Sequence, residues 1–394
     1  DISDISDIKL SANWMASCGT PGEDARLFDS VKTVGLEVCP PLGISIPVGK
    51  DSLSMKTKWT SNGEEKEVIS PVSLVVSAFA PVVDVRKTLT PLLATNDNDV
   101  TELVLIDLGF GKNRISGSIL SQIFEKTGQD VPDLDDPIRL KNFVEAINFL
   151  RKSNLILAYH DRGDGGLFVS ACEMAFATHI GISLNIDLLV LDQGHESDFG
   201  DAKNWAAQIS GRRNELTLKA LFNEELGAVI QIPKKNRQEV FNILRDFGLS
   251  AHSHVVGQLN NSGHVEIWRD AKKIFDVPRH VLQKLWQSTS WQIARMRDNP
   301  ECADSEHNLI DDINSDGLSA LISFDINEQV SAPYISKAKK PKIAILREQG
   351  VNSHVEMAYA FDVAGFEAFD VHMSDLLLNQ QNLNQFQGLV ACGG

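Results

Sequence analysis

The chain has 394 residues, a formal net charge of −16, 43% hydrophobic and 23% charged residues, which suits two or three globular domains with sizeable cores. The acidic balance argues against a general nucleic-acid or anionic-membrane surface, which needs clustered Lys and Arg, and no apolar run reaches the length of a membrane span. Cys18, Cys39, Cys172, Cys302 and Cys392 are scattered, odd in number and without C-x-x-C spacing, fitting a reducing, cytoplasmic compartment and neither a disulfide framework nor a structural zinc site.

The start, "DISDISDIKLSANW", has no signal-peptide pattern and no initiator Met, and the chain stops at "LVACGG", just after an apolar strand. Both ends are expected to be cut from something longer. Residues 1–97 form the first predicted unit. In it, "SCGTPGEDARLFDSVKTVGLEVCPPLG" reads as a helix entered through Pro21 and acidic residues and closed by Pro40-Pro41. "ISIPVGKDSLSMKTKW" resembles the tail of a P-loop and fails its test: Ile44 sits where the first glycine belongs, Asp51 replaces Ser/Thr, and a strand-like alternation follows. Two readings stand, a β-turn with an exposed Lys50, or a site with Gly49 beside a phosphate, Lys50 as a point charge and Ser52 as hydroxyl partner. "SPVSLVVSAFAPVVDV" is expected to be a buried strand, and "LLATNDNDV" a polar junction.

The second unit spans 98–284. After the strand "TELVLIDLGF", the stretch "DLGFGKNRISGSIL" fails G-x-G-x-x-G, yet Lys112, Arg114, Ser116, Gly117 and Ser118 make a basic, hydroxyl-rich start to a helix. It suits either a substrate phosphate or an N-cap with a solvated charge pair. At "NLILAYHDRGDGGLFVSACEMAF" an apolar run gives way to two carboxylates and three glycines before a helical pattern. Asp161, just past a strand end, is a hard oxygen ligand suited to Mg²⁺, and Gly163, Gly165 and Gly166 would let backbone approach a phosphate. The simpler reading, a tight turn with Asp164 capping the helix, explains Asp164 and one glycine. His160 abuts Asp161. "DQGHESDFGDAKNWAAQISGRRNE", 192–215, reads as a surface insertion. "LFNEELGAVIQ" places Asn223, Glu224 and Glu225 before a buried strand, as substrate-reading groups or edge charges. His252 and His254, two apart on an expected strand, read as surface residues. A turn at Asn261-Ser262-Gly263 leads into "VEIWRDAKKIFDV".

Residues 285–339 are an amphipathic helix, a polar tail and a linker-length connector. Residues 340–394 run strand, Gly loop, helix, strand, the opening of a doubly wound α/β domain. His354 and Glu356 are placed on its first helix. Cys392 lies inside the strand "GLVACGG" with no elbow or following helix to activate it, and is set aside as a nucleophile.

"IKLSANWM", "IPVGKDSLSMKT", "HDRGDGGL", "LFNEELGAVIQ", "RDNPECADSEH", "SFDINE", "LREQGVNSHVEMAYAF" and "HMSDLL…LVACGG" together resemble, in collinear order over nearly the whole chain, the large single-chain phosphoribosylformylglycinamidine synthases, the formylglycinamide ribonucleotide amidotransferases of purine biosynthesis. The resemblance implies an α+β, aminoimidazole ribonucleotide synthetase-like two-domain half followed by the truncated start of a doubly wound class I glutaminase. It implies an ATP-dependent ligase that makes formylglycinamidine ribonucleotide from formylglycinamide ribonucleotide and glutamine-derived ammonia, with the remaining domains of the same polypeptide as partners. Asp161 matches a Mg²⁺ ligand at an auxiliary ADP site. Gly163 stands where a serine often touches the nucleotide. Gly49 and Ser52 match a loop facing ATP and substrate, Asn13 a nucleotide-side loop, and Asn223, Glu224, Ser116 and Ser118 are taken as substrate-facing. Lys50 departs from the asparagine of smaller relatives. The glutaminase Cys-His-Glu triad and the synthase His fall outside the chain, so no residue here is expected to be catalytic, and the chain should not complete the reaction alone. The rival readings are a non-catalytic scaffold holding structural Mg-ADP and a stand-alone aminoimidazole ribonucleotide synthetase relative.

Overall fold

The computed structural model describes residues 4–95, 100–191, 205–312, 315, 320–335, 339–348 and 350–393, with the side chains of 205–210 and 334 left aside. Two compact units divide at Ser315/Asp316.

In the first unit, β1 (Lys9–Met15) is flanked by β2 (Ser45–Gly49), parallel, and β5 (Ser73–Phe79), antiparallel. Between β1 and β2, α1 (Glu23–Lys32) starts at Gly22 in the left-handed region, with Glu23 and Asp24 in its first turn. It runs through a π-helical stretch, Thr33–Val38, into α2 (Cys39–Leu42). Pro40 and Pro41 do not close this helix: they occupy the first turn of α2, where a missing N–H costs nothing, and the stop is Gly43 at φ 71°. The hairpin β3 (Lys56–Ser61) and β4 (Glu64–Ile69) turns on Asn62 and Gly63, both at positive φ, as a tight right-twisted hairpin requires. The expectation of a buried strand at β5 fails. Val75 is 53% and Phe79 64% exposed, because among the described residues β5 pairs with β1 alone.

The larger sheet has seven strands in the order β12-β11-β8-β10-β6-β9-β7. They are β6 (Thr101–Asp107), β7 (Ala158–Asp161), β8 (Gly181–Asn185), β9 (Gly227–Pro233), β10 (Ser253–Asn260), β11 (His264–Arg269) and β12 (Lys272–Pro278). The helices are α3 (Ile119–Ile123), α4 (Pro137–Lys152), α5 (Gly166–Thr178), α6 (Trp205–Phe222) and α7 (Arg237–Asp246). Strand alternation sorts the core. Leu103, Leu105 and Val229 pack with Leu167, Ala171 and Met174 of α5. Val104, Ile106 and Ile230 face the other way, onto Phe143 and Leu150 of α4 and Val240 and Leu244 of α7. The expected insertion lies outside the described residues over 192–204, and its remainder, 205–215, is helical within α6.

The polar tail expected after the amphipathic helix is itself helical. α8 (Arg279–Arg297) is followed by α9 (Pro300–Leu309), whose N-cap Asn299 accepts from the N–H groups of Glu301 (2.9 Å) and Cys302 (3.2 Å). Asn-Pro-Glu is a helix-start signal that polarity alone masks. Trp291 of α8 stacks on His307 of α9, centroids 4.2 Å apart.

In the second unit, β13 (Lys342–Arg347), β14 (Glu367–His372) and β15 (Gly388–Ala391) form a parallel sheet in the order β14-β13-β15. α10 (His354–Val363) connects β13 to β14, and α11 (Met373–Leu377) follows β14. This is the start of a doubly wound α/β sheet, as expected.

Candidate functional site

Strand pairing brings four loops to one end of the seven-stranded sheet. Asp107 closes β6, Asp161 closes β7, Gly227 opens β9 and Ser253 opens β10.

Two buried arginines tie these loops together. Arg162, its side chain 1% exposed, donates through Nε to the carbonyl of Glu225 (2.6 Å) and through Nη2 to the carbonyl of Leu226 (2.9 Å) and the carboxylate of Asp107. That carboxylate also accepts from the N–H groups of Gly109 (3.1 Å) and Gly111 (2.7 Å), which shapes the loop after β6. Arg114 grips wholly buried Glu225 fork-on-fork, Nε and Nη2 each 2.7 Å from a carboxylate oxygen, and reaches Asp135 at 3.1–3.2 Å. Such burial is tolerable because every charge is hydrogen-bonded. Glu225 holds the Arg114 guanidinium charged far above its ordinary range. Lys112, with Arg114, lowers the Asp135 carboxyl.

The basic stretch at 112–118 is therefore largely spent on the protein itself. Arg114 serves Glu225 and Asp135, and Lys112 pairs with Asp135 at 2.9 Å. Ser118 is buried and its Oγ caps α3 by accepting from the N–H of Ser121 (3.3 Å). Ser116 is buried too, its Oγ so close to Gly128 that an added Cβ there would lie 2.1 Å away. Asn223, 1% exposed, donates to the Asn113 side chain (3.1 Å) and the Lys219 carbonyl (2.7 Å). Glu224 is placed differently. Its Oε1 accepts from two backbone N–H groups, Ile119 at the start of α3 and Gly165 at the start of α5, each at 2.9 Å.

At the corner itself the three glycines have three different causes. Gly165 (φ 78°) is the N-cap of α5, and an added Cβ would lie 2.3 Å from Val169. Gly166 (φ 67°) presses on backbone, its added Cβ lying 2.5 Å from the Asn223 carbonyl oxygen. Gly163 has nothing within 4 Å of an added Cβ. Asp164 does not cap the helix: α5 has no side-chain cap, and Glu224 takes the Gly165 N–H instead. His160 turns away from Asp161, to Glu173 of α5 (2.7 Å), which also accepts from Trp286 (3.1 Å).

Asp161 Oδ1 accepts from the Tyr159 hydroxyl at 2.6 Å. Burial, then the Asp161 charge, pushes the Tyr159 pKa up, so the phenol stays a donor at any ordinary pH. Among the described residues no group of three or more His, Cys, Asp or Glu could hold a metal ion. Among the described residues, then, protein donors alone do not cage a metal. One carboxylate with a second oxygen to offer suits Mg²⁺ brought by phosphates, since that ion commonly takes one or two carboxylates and completes its shell from a nucleotide and water.

The 49–52 loop is built onto β1. Gly49 is required by contact, its added Cβ falling 2.4 Å from the Ala12 carbonyl oxygen. Lys50 N–H donates to that carbonyl (3.1 Å), and Ser52 N–H to that of Trp14 (2.8 Å). Lys50 Nζ lies 3.0 Å from Ser52 Oγ. With its amide turned to satisfy both groups, Asn13 donates to the carbonyls of Trp14 and Lys50. Tyr159, Asp107 and Arg162 escaped the sequence reading, although Arg162 sits inside the motif. His252 and His254 are half-buried rather than surface residues, and His252 belongs to a 3-10 turn.

Three family models match in chain order. Residues 1–81 match the FGAR-AT PurM_N-like domain, 103–270 the C-terminal domain of AIR synthase related protein, and 340–394 the CobB/CobQ-like glutamine amidotransferase domain. Together the three matches support a formylglycinamide ribonucleotide amidotransferase with a glutaminase start. Its fold is AIR synthase-like, followed by the start of the glutamine amidotransferase domain. Among solved structures, chains similar to this one include T. maritima PurL complexed with ATP, at 14% identity and TM-score 0.41, over 70% of this chain and 37% of that one. Phosphoribosylformylglycinamidine synthase II from Thermotoga maritima matches at 12% identity and TM-score 0.41, over 91% and 44%. E. coli HypE, a hydrogenase maturation protein, matches at 18% identity and TM-score 0.45, over 68% and 73%. The chain spans little more than a third of the length of the first of these.

Proposed function

We propose that this chain contributes a nucleotide site to an ATP-dependent amidotransferase, one that converts formylglycinamide ribonucleotide, glutamine and ATP to formylglycinamidine ribonucleotide, glutamate, ADP and phosphate in purine biosynthesis. Its other domains would complete both the synthase site and the glutaminase. The observation that carries the reading is the corner of β7 and α5, where Asp161 stands at a strand end beside an open Gly163 and two glycines in left-handed backbone. Asp161, oriented by Tyr159, would hold Mg²⁺ through its second oxygen, and Mg²⁺ would neutralise and align nucleotide phosphates. The space beside Gly163 would admit them. The N–H of Gly165 is taken by Glu224, so a phosphate at the start of α5 would either replace that carboxylate or lie on the Gly163 side. Asn13, which lies on β1 and not on a loop, would face substrate and ATP together with Gly49 at the end of β2 and Ser52 on the loop that follows it.

One observation favours a second reading, a structural nucleotide: Asp107, Glu224 and Glu225 are committed to loop architecture, which leaves few carboxylates among the described residues at this end of the sheet to meet a metal. Asp161→Asn in the complete amidotransferase separates the two. Turnover per folded molecule falling at least tenfold supports a catalytic site. A lowered melting temperature with turnover intact supports the scaffold, and no change in either sinks both.

A further inference from the structure

Three arginines are buried among the described residues: Arg114, Arg162 and Arg279. The first two meet carboxylates, those of Glu225 and Asp107. Arg279 is the most buried of the three, 3% exposed, and meets none. Its guanidinium donates through Nη1 to Gln283 Oε1, one turn further along α8, and its backbone N–H donates to the Gly263 carbonyl at 2.9 Å. The Nε and Nη2 edge has no acceptor among the described residues and is not sealed from solvent. Ionisation shows the same contrast. Glu225 raises the Arg114 pKa, whereas burial alone acts on Arg279 and lowers it. A guanidinium stays charged even so. A buried charge left without a counter-charge is strongly destabilising, which favours any anion that can reach it.

The surroundings do nothing to offset that charge. Arg279 opens α8, a helix of 19 residues whose first turn holds no acid and whose N-cap, Pro278, offers no side-chain acceptor. The positive end of the helix dipole thus adds to the guanidinium instead of opposing it. His179, the left-handed C-cap of α5 at φ 57°, lies in the same field: burial, and then the Arg279 charge, lower its pKa, so it rests neutral. Strand pairing sets the end of β12 beside the starts of β11 and β8, the opposite end of the sheet from Asp107 and Asp161.

We propose that the free edge of Arg279 is a binding site for a carboxylate, distinct from the Asp161 corner and held by paired Nε–H and Nη2–H bonds in the way that Arg114 holds Glu225. The fork matches two coplanar oxygens, and a side chain so deeply set admits a flat group more readily than a tetrahedral phosphate. The carboxylate comes from a small free acid or from an acidic side chain of another polypeptide.

The test is NMR of the full chain with arginine-selective ¹⁵N labelling, following the Nε–H signal of Arg279, assigned with Arg279→Lys. Acetate and the blocked aspartate N-acetyl-Asp-N-methylamide replace chloride at constant ionic strength, with inorganic phosphate as the control. The proposal expects the Arg279 signal to move saturably with both carboxylates and much less with phosphate. The Arg114 signal, already engaged by Glu225, should stay still. Tighter binding of acetate supports a free acid as the source, and tighter binding of the blocked aspartate supports a polypeptide side chain. Gln283→Glu keeps the shape of the side chain beside Arg279 and adds the missing charge, so it should weaken acetate about tenfold, the loss of a charge-assisted contact. A stationary Arg279 signal, an equal response to phosphate, or acetate binding untouched by Gln283→Glu would overturn the proposal.

Discussion

Gly166→Ala tests how the corner is held. At φ 67° a Cβ costs about 1–2 kcal/mol in backbone strain alone. The added carbon would also lie 2.5 Å from the Asn223 carbonyl oxygen, 2.7 Å from that of Leu221 and 2.9 Å from the Phe222 carbonyl carbon, all backbone that cannot swing aside. Relieving that overlap adds on the order of 1–3 kcal/mol, for a total of roughly 2–5 kcal/mol. Gly163→Ala is the control. With nothing within 4 Å and no left-handed φ, it should be neutral or stabilise by about 0.4–1 kcal/mol through the unfolded chain. Urea unfolding followed by tryptophan fluorescence reads the right part of the molecule, since all six tryptophans lie in the first unit. Equal midpoints for the two variants would refute the contact picture of the corner.

Glu225→Ala removes the fork partner of buried Arg114, leaving it Asp135, and should cost about 3–5 kcal/mol in the same assay, whereas a loss under 1 kcal/mol would mean the loops do not depend on that pair. The Asp135 carboxyl, lowered by Lys112 and Arg114, contributes stability that is present above the unfolded carboxyl range and lost as pH falls through its folded value, so Asp135→Asn should flatten the acid limb of the unfolding profile. Burial pushes the Cys172 thiol up to about 12, so the stability it carries is intact below the unfolded thiol value near 9 and fades as pH rises towards 12. In native protein at pH 8, alkylation read by mass spectrometry should mark exposed Cys302 and spare Cys172, and early labelling of Cys172 would contradict the packing.

The corner was legible because glycine has few uses: Gly165 and Gly166 announce a backbone that no other residue follows. What holds the corner was not legible. Arg114 and Glu225 lie 111 residues apart, and Arg162 and Asp107 55 apart, so strand pairing alone brings them together. Before the pairing is known, each reads as a free surface charge. For that reason the basic stretch at 112–118 left a phosphate site and an N-cap with a charge pair equally open. β5 misled in the opposite sense, since an apolar run reports a face that needs a partner and not the presence of one. His252 and His254 were read on one strand, but the 3-10 turn places His252 off it and turns both into a cavity lining.

The proposed function requires that Asp161 meet a nucleotide through Mg²⁺. Calorimetric titration of this chain with ADP, with and without Mg²⁺, on the unaltered protein and on Asp161→Asn, addresses it directly. Mg²⁺ should tighten ADP binding to the unaltered chain, and the substitution should abolish this gain. An equal gain from Mg²⁺ in both proteins would contradict it.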